Sequence, residues 1–270
     1  GEAFEQLFRS KSRTFSLASF LLPKERAEAI FRLYYVCRTL DDWADEGQEH
    51  KLRGAMACWT EHKPHPLLDH YRFLQARWGL ASLPMTELME AMIQEQNGVA
   101  MKTETELLAY CHGVAGTIGL MTCPIFGVTD EKALKHADDL GIAMQLTNIC
   151  RDVCEDAKNG RIYLPAEYFK SPPSHADILQ NNSNGVLNEI TSIKKRILME
   201  ADRRYTSGEQ GIGYLPWRMR IVVRWAGRMY REIGELIHDN PELYNDKRAV
   251  VGGLKKLCIL IPCLIKSIFN

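Results

Sequence analysis

The sequence predicts an all-α fold, and three observations predict it. Apolar residues recur three and four apart through most of the chain, strand-like alternation is scarce, and Pro, Asn and Gly cluster in only two places. Leu22-Pro23 followed by Glu25 and Arg26 marks a helix start, and Ile30, Leu33, Tyr34, Cys37 and Leu40 continue as an apolar stripe into Asp41. The same periodicity predicts further helices at about 84–101, 104–122, 130–157, 185–207 and 216–239. Glu61 to Pro66, and Ser171 to Ser174 with Asn181 to Gly185, read as surface loops. Neither loop is long or distinct enough to mark a domain boundary, and no repeat of roughly twenty to fifty residues is present. A single domain over 1–270 with roughly eight to ten helices is expected.

Composition narrows the function. The chain has 270 residues, 46% hydrophobic and 25% charged, which is globular composition with enough length for a sizeable core. Its 34 Lys+Arg balance 34 Asp+Glu, which disfavours nucleic acid as a partner; any electrostatic function must come from where charges are placed. The eight cysteines, at 37, 58, 111, 123, 150, 154, 258 and 263, include no Cys-x-x-Cys pair. Disulfide-scaffold and zinc-finger readings both fail, and a reduced, cytoplasmic protein fits best. The first residue is Gly1 rather than Met, so a removed targeting segment stays open. The one long apolar run, Leu257 to Ile265, is interrupted by Pro262 and is far shorter than the ~20 residues a spanning helix needs. With Lys255-Lys256 before it, this tail (257–270) could lie peripherally on a membrane or pack on the core as a last helix.

Two acidic motifs carry the chemistry. Asp41 and Asp45 end the first helix, and Asp152 and Asp156 lie on another; each pair is Asp-x-x-x-Asp, which puts two carboxylates on one helix face. Like charges so placed call for a cation. Oxygen ligands without His or Cys point to magnesium, with manganese the substitute, held by one or two carboxylates plus substrate phosphates. The implied substrate is a diphosphate. Gln145, Asn148, Asp152 and Asp156 form a polar row beside an apolar stripe of Ile142, Leu146, Ile149 and Val153, which suits a pocket lining. Each motif also has an arginine close by, Arg38 and Arg151. Cys150 and Cys154 read as buried small apolar residues rather than metal ligands.

Several stretches together resemble the squalene/phytoene synthase family of head-to-head prenyl synthases. They are Arg13-Thr14-Phe15, Tyr34 to Asp45, Tyr110 to Gly119, Gln145 to Asp156 and Gly160 to Pro165, in order from about residue 10 to 257. The resemblance implies an isoprenoid-synthase helical domain with a central cavity, in which Asp41, Asp45, Asn148, Asp152 and Asp156 serve magnesium and Gln145 supports the second cluster. It implies that Arg13, Thr14, Arg38, Arg151 and Arg248 meet substrate, and that Tyr34, Tyr110 and Tyr230 face the cavity with Val114, Ala115 and Gly119. Two polyprenyl diphosphates would be joined through a cyclopropylcarbinyl diphosphate, in a dry cavity where tyrosine faces stabilise cations. Enzymes that act next on isoprenoids would be its partners.

Val114 to Leu120 and Gly160 to Pro165 are most similar to the phytoene-forming members, which implies geranylgeranyl substrates and carotenoid biosynthesis. C15-using relatives making presqualene diphosphate, dehydrosqualene or squalene are the alternative. A non-catalytic scaffold that binds isoprenoid diphosphates, and a head-to-tail elongator or terpene cyclase, are the others. NADPH is not expected for the phytoene-forming reading that the similarity implies. Gly208 to Gly213 has the wrong spacing for a dinucleotide loop and follows no predicted strand, an absence that carries little weight because reductant-using members of the family lack such a motif too. Gly113, Gly116 and Gly119 allow close helix packing, close approach of an alkyl chain, or a local helix break. Asn159 to Pro165 reads as a lid or as a glycine-containing helix exit. The chain departs from the family pattern at Cys150, Cys154, Glu90, Glu95 and His112.

Overall fold

Pro23, with φ −54° and ψ 140°, starts α1 (Lys24–Asp45), where its missing N–H and fixed φ suit a helix entrance. The computed structural model describes residues 22–179, 184–241 and 249–252, and beyond them 255, 258–260, 262–263 and 266–267. After α1 come α2 (Glu49–Thr60), α3 (Leu68–Trp78) and α4 (Leu83–Glu95). Ala29, Ile30, Leu33, Val36, Leu40 and Ala44 form the buried face of α1, which packs on α2, α3 and α4. Their first core is filled by Leu52, Leu68, Tyr71, Leu74, Met85, Leu88 and Met89. Each fully buried aliphatic side chain there contributes about 1.5–3 kcal/mol.

The chain then departs from uniform helix. The helix predicted over 84–101 ends at Glu95; Gly98 takes φ 88°, and Val99–Ala100 forms β1. Helix α5 (Glu104–Cys111) is capped by Thr103, whose side chain accepts a hydrogen bond from the Glu106 amide. It passes through one π-helical turn, His112–Gly116, into α6 (Thr117–Ile125). The glycine stretch is thus both a local break and a packing surface. A Cβ on Gly119 would lie 2.5 Å from the Ala137 carbonyl oxygen, and one on Gly141 would lie 2.4 Å from the Ala115 carbonyl oxygen. The span Glu104–Ile125 is the one helical stretch among the described residues long and apolar enough to cross a membrane, a feature the sequence reading assigned to no segment. Here it packs on α4 and α7.

Helix α7 (Glu131–Lys158) is the central element, capped by Asp130, which accepts from the amides of Lys132 and Ala133. It contacts α5, the π turn, α6 and the later elements β2 (Arg161–Ile162), α8 (His175–Leu179), α9 (Asn184–Gly211) and α10 (Trp217–Asp239). Strand β2 follows Gly160, at φ 74°, and pairs in parallel with β1, Val99 opposite Arg161 and Ala100 opposite Ile162. Asn184 and Gly185, expected in a loop, belong to α9, while 181–183 lie outside the described residues. Gly208 to Gly211 ends α9 and Ile212–Tyr214 is a 3-10 turn, so this glycine-rich segment is no dinucleotide loop. Ile142, Leu146, Ile149 and Cys150 of α7 meet Ile190, Ile193, Ile197 and Leu198 of α9 in a second core. Between the two cores runs a cavity of about 770 Å³.

Candidate active site

Both acidic motifs line that one cavity. Asp41 and Asp45 come from the last turns of α1, and Asp152 and Asp156 from the end of α7. Arg38, Tyr34, Tyr110, Val114, Ala115, Gly119, Gln145, Asn148 and Arg151 line it as well. From Asp156 the lining descends α7 to Ala133, about 35 Å of helix at 1.5 Å per residue, passing Met144, Leu140 and Ala137. The cavity is therefore charged at one end and mainly apolar along its depth. Arg13, Thr14 and Arg248 lie outside the described residues.

Tyr230 sits behind the cavity wall. It is not among the residues lining the cavity; it lies one turn beyond Ala226, partly buried against the second core. There it acts electrostatically on Arg151 and Tyr205. In the basic tail, read as membrane-facing or as a last helix on the core, Lys255 is paired with Glu232, and Lys256 lies outside the described residues. Cys150 is fully buried, its thiol pushed up to about 12 by that burial.

The charged end has a specific geometry. Arg38 Nη1 lies 2.8 Å from Asp41 Oδ2, and its Nη2 lies 2.5 Å from Asp42. Arg151 forks onto the adjacent Asp152, Nε at 2.8 Å and Nη2 at 2.5 Å. Neighbouring residues on a regular helix point about 100° apart. The pairing goes with a distortion at Asp152, whose φ −108° and ψ 16° leave the helical region.

Three further residues complete this end, and motif reading did not assign them to it. Arg161 of β2 lies 3.1 Å from Asp45 and 3.1 Å from Glu95. Tyr163 donates to Glu95 at 2.6 Å, and the Tyr110 hydroxyl lies 3.2 Å from both Glu95 and the Tyr163 hydroxyl. The two tyrosine rings stack with centroids 5.0 Å apart. Burial and the Glu95 charge raise both hydroxyl pKa values, so these tyrosines stay protonated. The signal for Arg161 and Tyr163 was present in Gly160 to Pro165; that for Glu95 was only its departure from the family pattern.

Electrostatics show that the motifs share one field. Burial, then the charge of Asp45, pushes Asp41 up to about 6, and Glu95 adds to the rise. Burial, then Asp152, pushes Asp156 up to about 7, with Glu95 raising and Arg161 lowering it. Asp41, Asp45, Glu95, Asp152 and Asp156 line this end against Arg38, Arg151 and Arg161, leaving five carboxylates to three guanidiniums. Among the cavity-lining residues described, two buried atoms lack hydrogen-bond partners: Asn148 Oδ1, an acceptor, and Arg38 Nε, a donor. Gln145 accepts the Asn148 amide at 3.4 Å, which leaves Oδ1 as the oxygen free to meet a cation.

That inventory fits a divalent cation with an anionic ligand. Among the described residues no three His, Cys, Asp or Glu form a ready cage. Magnesium, however, keeps waters and takes one or two carboxylates plus phosphate oxygens. Asp41 and Asp45 on one side, and Asn148, Asp152 and Asp156 on the other, could hold such ions.

A helical shell around an apolar cavity with opposed aspartates and arginines at one end defines a class of enzyme acting on long apolar chains that carry a diphosphate. The squalene/phytoene synthase family model matches residues 8–255, and the chain belongs to that family. Phytoene synthase 1, chloroplastic, of Zea mays is 32% identical, covering 95% of this chain and 68% of the maize protein. The 15-cis-phytoene synthase of Synechococcus elongatus is 32% identical, covering 98% of this chain and 94% of its own. A crystal structure of a dehydrosqualene synthase superposes with a TM-score of 0.79 at 23% identity, covering 98% of this chain and 96% of that one, which shows the shared fold.

Proposed function

We propose that this chain is a phytoene synthase, a prenyltransferase that joins two geranylgeranyl diphosphates head to head. The observation that carries the reading is the single cavity, with both acidic motifs and three arginines at one end and, below Gln145, about 17 Å of mostly apolar wall along α7. The relatives named phytoene synthase, at about a third identity over nearly the whole chain, support the C20 substrate.

Bound magnesium would neutralise charge on the diphosphate oxygens. The chain's own residues do the rest. Arg38 and Arg151, already fixed by Asp41 and Asp152, offer guanidinium forks to the departing diphosphate. Ionisation of the first substrate leaves an allylic cation, whose C1 is attacked by the double bond of the second. The tertiary cation so formed closes to a cyclopropylcarbinyl diphosphate as the second substrate's C1 loses a proton, which the first released diphosphate can accept. A second ionisation in the same cavity drives rearrangement to a 1-1' linked chain, and loss of a proton, with released diphosphate as acceptor, gives the central triene. Tyr34 and Tyr110 on the wall can stabilise positive charge through their ring faces, and the apolar lining excludes the water that would intercept a cation.

Paired assays with C15 and C20 diphosphates, with and without NADPH, test the reading. A C40 triene from geranylgeranyl diphosphate without reductant is expected. Presqualene diphosphate or hydrocarbon from farnesyl diphosphate alone would move the chain to the C15 branch. Absence of both a cyclopropylcarbinyl diphosphate and a hydrocarbon with either substrate would contradict catalysis.

A further inference from the structure

Arg161 holds a position that the reaction as written leaves without a role. Its guanidinium sits between an exposed acid and a buried one: the Asp45 side chain is 53% exposed and the Glu95 side chain 8%, each with an oxygen 3.1 Å from Nη1. Glu95 is anchored on α4 by hydrogen bonds at both oxygens, from Tyr163 at 2.6 Å and from Tyr110 at 3.2 Å. The Arg161 backbone is held by the β1–β2 pairing, just after Gly160 at φ 74°. Arg161 also acts on Asp156, so one guanidinium lies within the field of both acidic motifs.

We infer that Arg161 is a resident placeholder for the divalent cation: in the resting protein it occupies Asp45, and it must release that carboxylate before a metal ion can use it. The burial asymmetry decides which bond breaks. Glu95 is desolvated and triply engaged, so its ion pair with Arg161 persists, whereas Asp45 keeps water access and can exchange partners. Once free of Asp45, the Arg161 guanidinium stays tethered at the charged end and is available to a diphosphate oxygen. Asn159 to Pro165 thereby acts as a latch whose closing partner is an aspartate at rest and the substrate's anion in the complex. This inference rests on the proposed diphosphate site.

The test measures Mn²⁺ binding to the whole chain by electron paramagnetic resonance of the free ion, without diphosphate and without turnover. Removing a competitor of ordinary ion-pair strength from Asp45 should tighten Mn²⁺ binding about two- to fivefold in Arg161→Gln. Arg161→Met, which keeps the apolar stem, should behave alike and serves if the glutamine variant does not fold; Arg161→Lys, which keeps the charge, should stay near the parent value. With Mn²⁺ saturating, affinity for inorganic diphosphate should fall about tenfold or more in Arg161→Gln, as expected on losing a charge-assisted hydrogen bond. Equal Mn²⁺ affinity in the parent and in the Gln or Met variant would overturn the placeholder while leaving the metal site standing. Failure of the parent chain to bind Mn²⁺ at all would remove the site and the placeholder together.

Discussion

Cation binding should release protons in an amount that the structure sets. Metal ligands must be deprotonated, and two of the proposed ones are held up by their surroundings, Asp41 to about 6 and Asp156 to about 7. At pH 6.5 those values leave Asp156 about 0.8 protonated and Asp41 about 0.2, so filling both sites expels about one proton per chain. At pH 8 the sum falls to about 0.1. Calorimetric titration of Mg²⁺ and inorganic diphosphate in buffers of differing ionisation enthalpy reads this number, after subtraction of diphosphate's own proton release. The same shifts predict the apoprotein's stability. Because the folded pKa values exceed the unfolded carboxylate value, the folded chain binds more protons from about pH 4 to 7. The pair's contribution is full below that window and is lost as pH rises through it, and added cation restores it. Proton release that is zero at pH 6.5, or unchanged at pH 8, would refute the reasoning.

Other outcomes follow from the same geometry. Asp152→Asn, which removes the charge that Arg151 forks onto, should lower turnover about a hundredfold or more while the circular dichroism melt stays close to the parent's. Gly141→Ala should destabilise by about 1–3 kcal/mol, because the new Cβ meets backbone atoms of Ala115 that no side-chain rotation can move. Thermal unfolding would then fall by several degrees. Asp130→Ala, which removes two amide caps at the start of α7, should cost about 1 kcal/mol in denaturant unfolding and leave catalysis intact.

Legibility in the sequence followed the range of the interaction. The stripe from Ile30 to Leu40 and the Pro23 helix start were readable because helical period and capping are local, and both aspartate pairs were readable for the same reason. The end of α4 was not. Val99, Ala100 and Met101 continue an apolar run, yet Gly98 turns the chain out of the helix and strand pairing with β2 decides the rest. At His112–Gly116 the glycine spacing left a local break as one of three readings, and the structure has both a π turn and close packing on α7 there. Arg161 is joined to Asp45 across 116 residues, so sequence showed its motif but not its partner. Tyr230 matched a family pattern, which reported neither its packing on the α7–α9 core nor its place in the field of Arg151.

The central claim is that aspartates from α1 and α7 act on one diphosphate at the head of one apolar cavity. Anomalous diffraction from crystals soaked with Mn²⁺ and a non-ionisable geranylgeranyl diphosphate analogue tests it most directly. The account predicts metal peaks at Asp41/Asp45 and at Asn148/Asp152/Asp156, with diphosphate between them and the alkyl chain running down α7 toward Ala133. Metal and diphosphate bound elsewhere, or an alkyl chain lying outside this cavity, would contradict it.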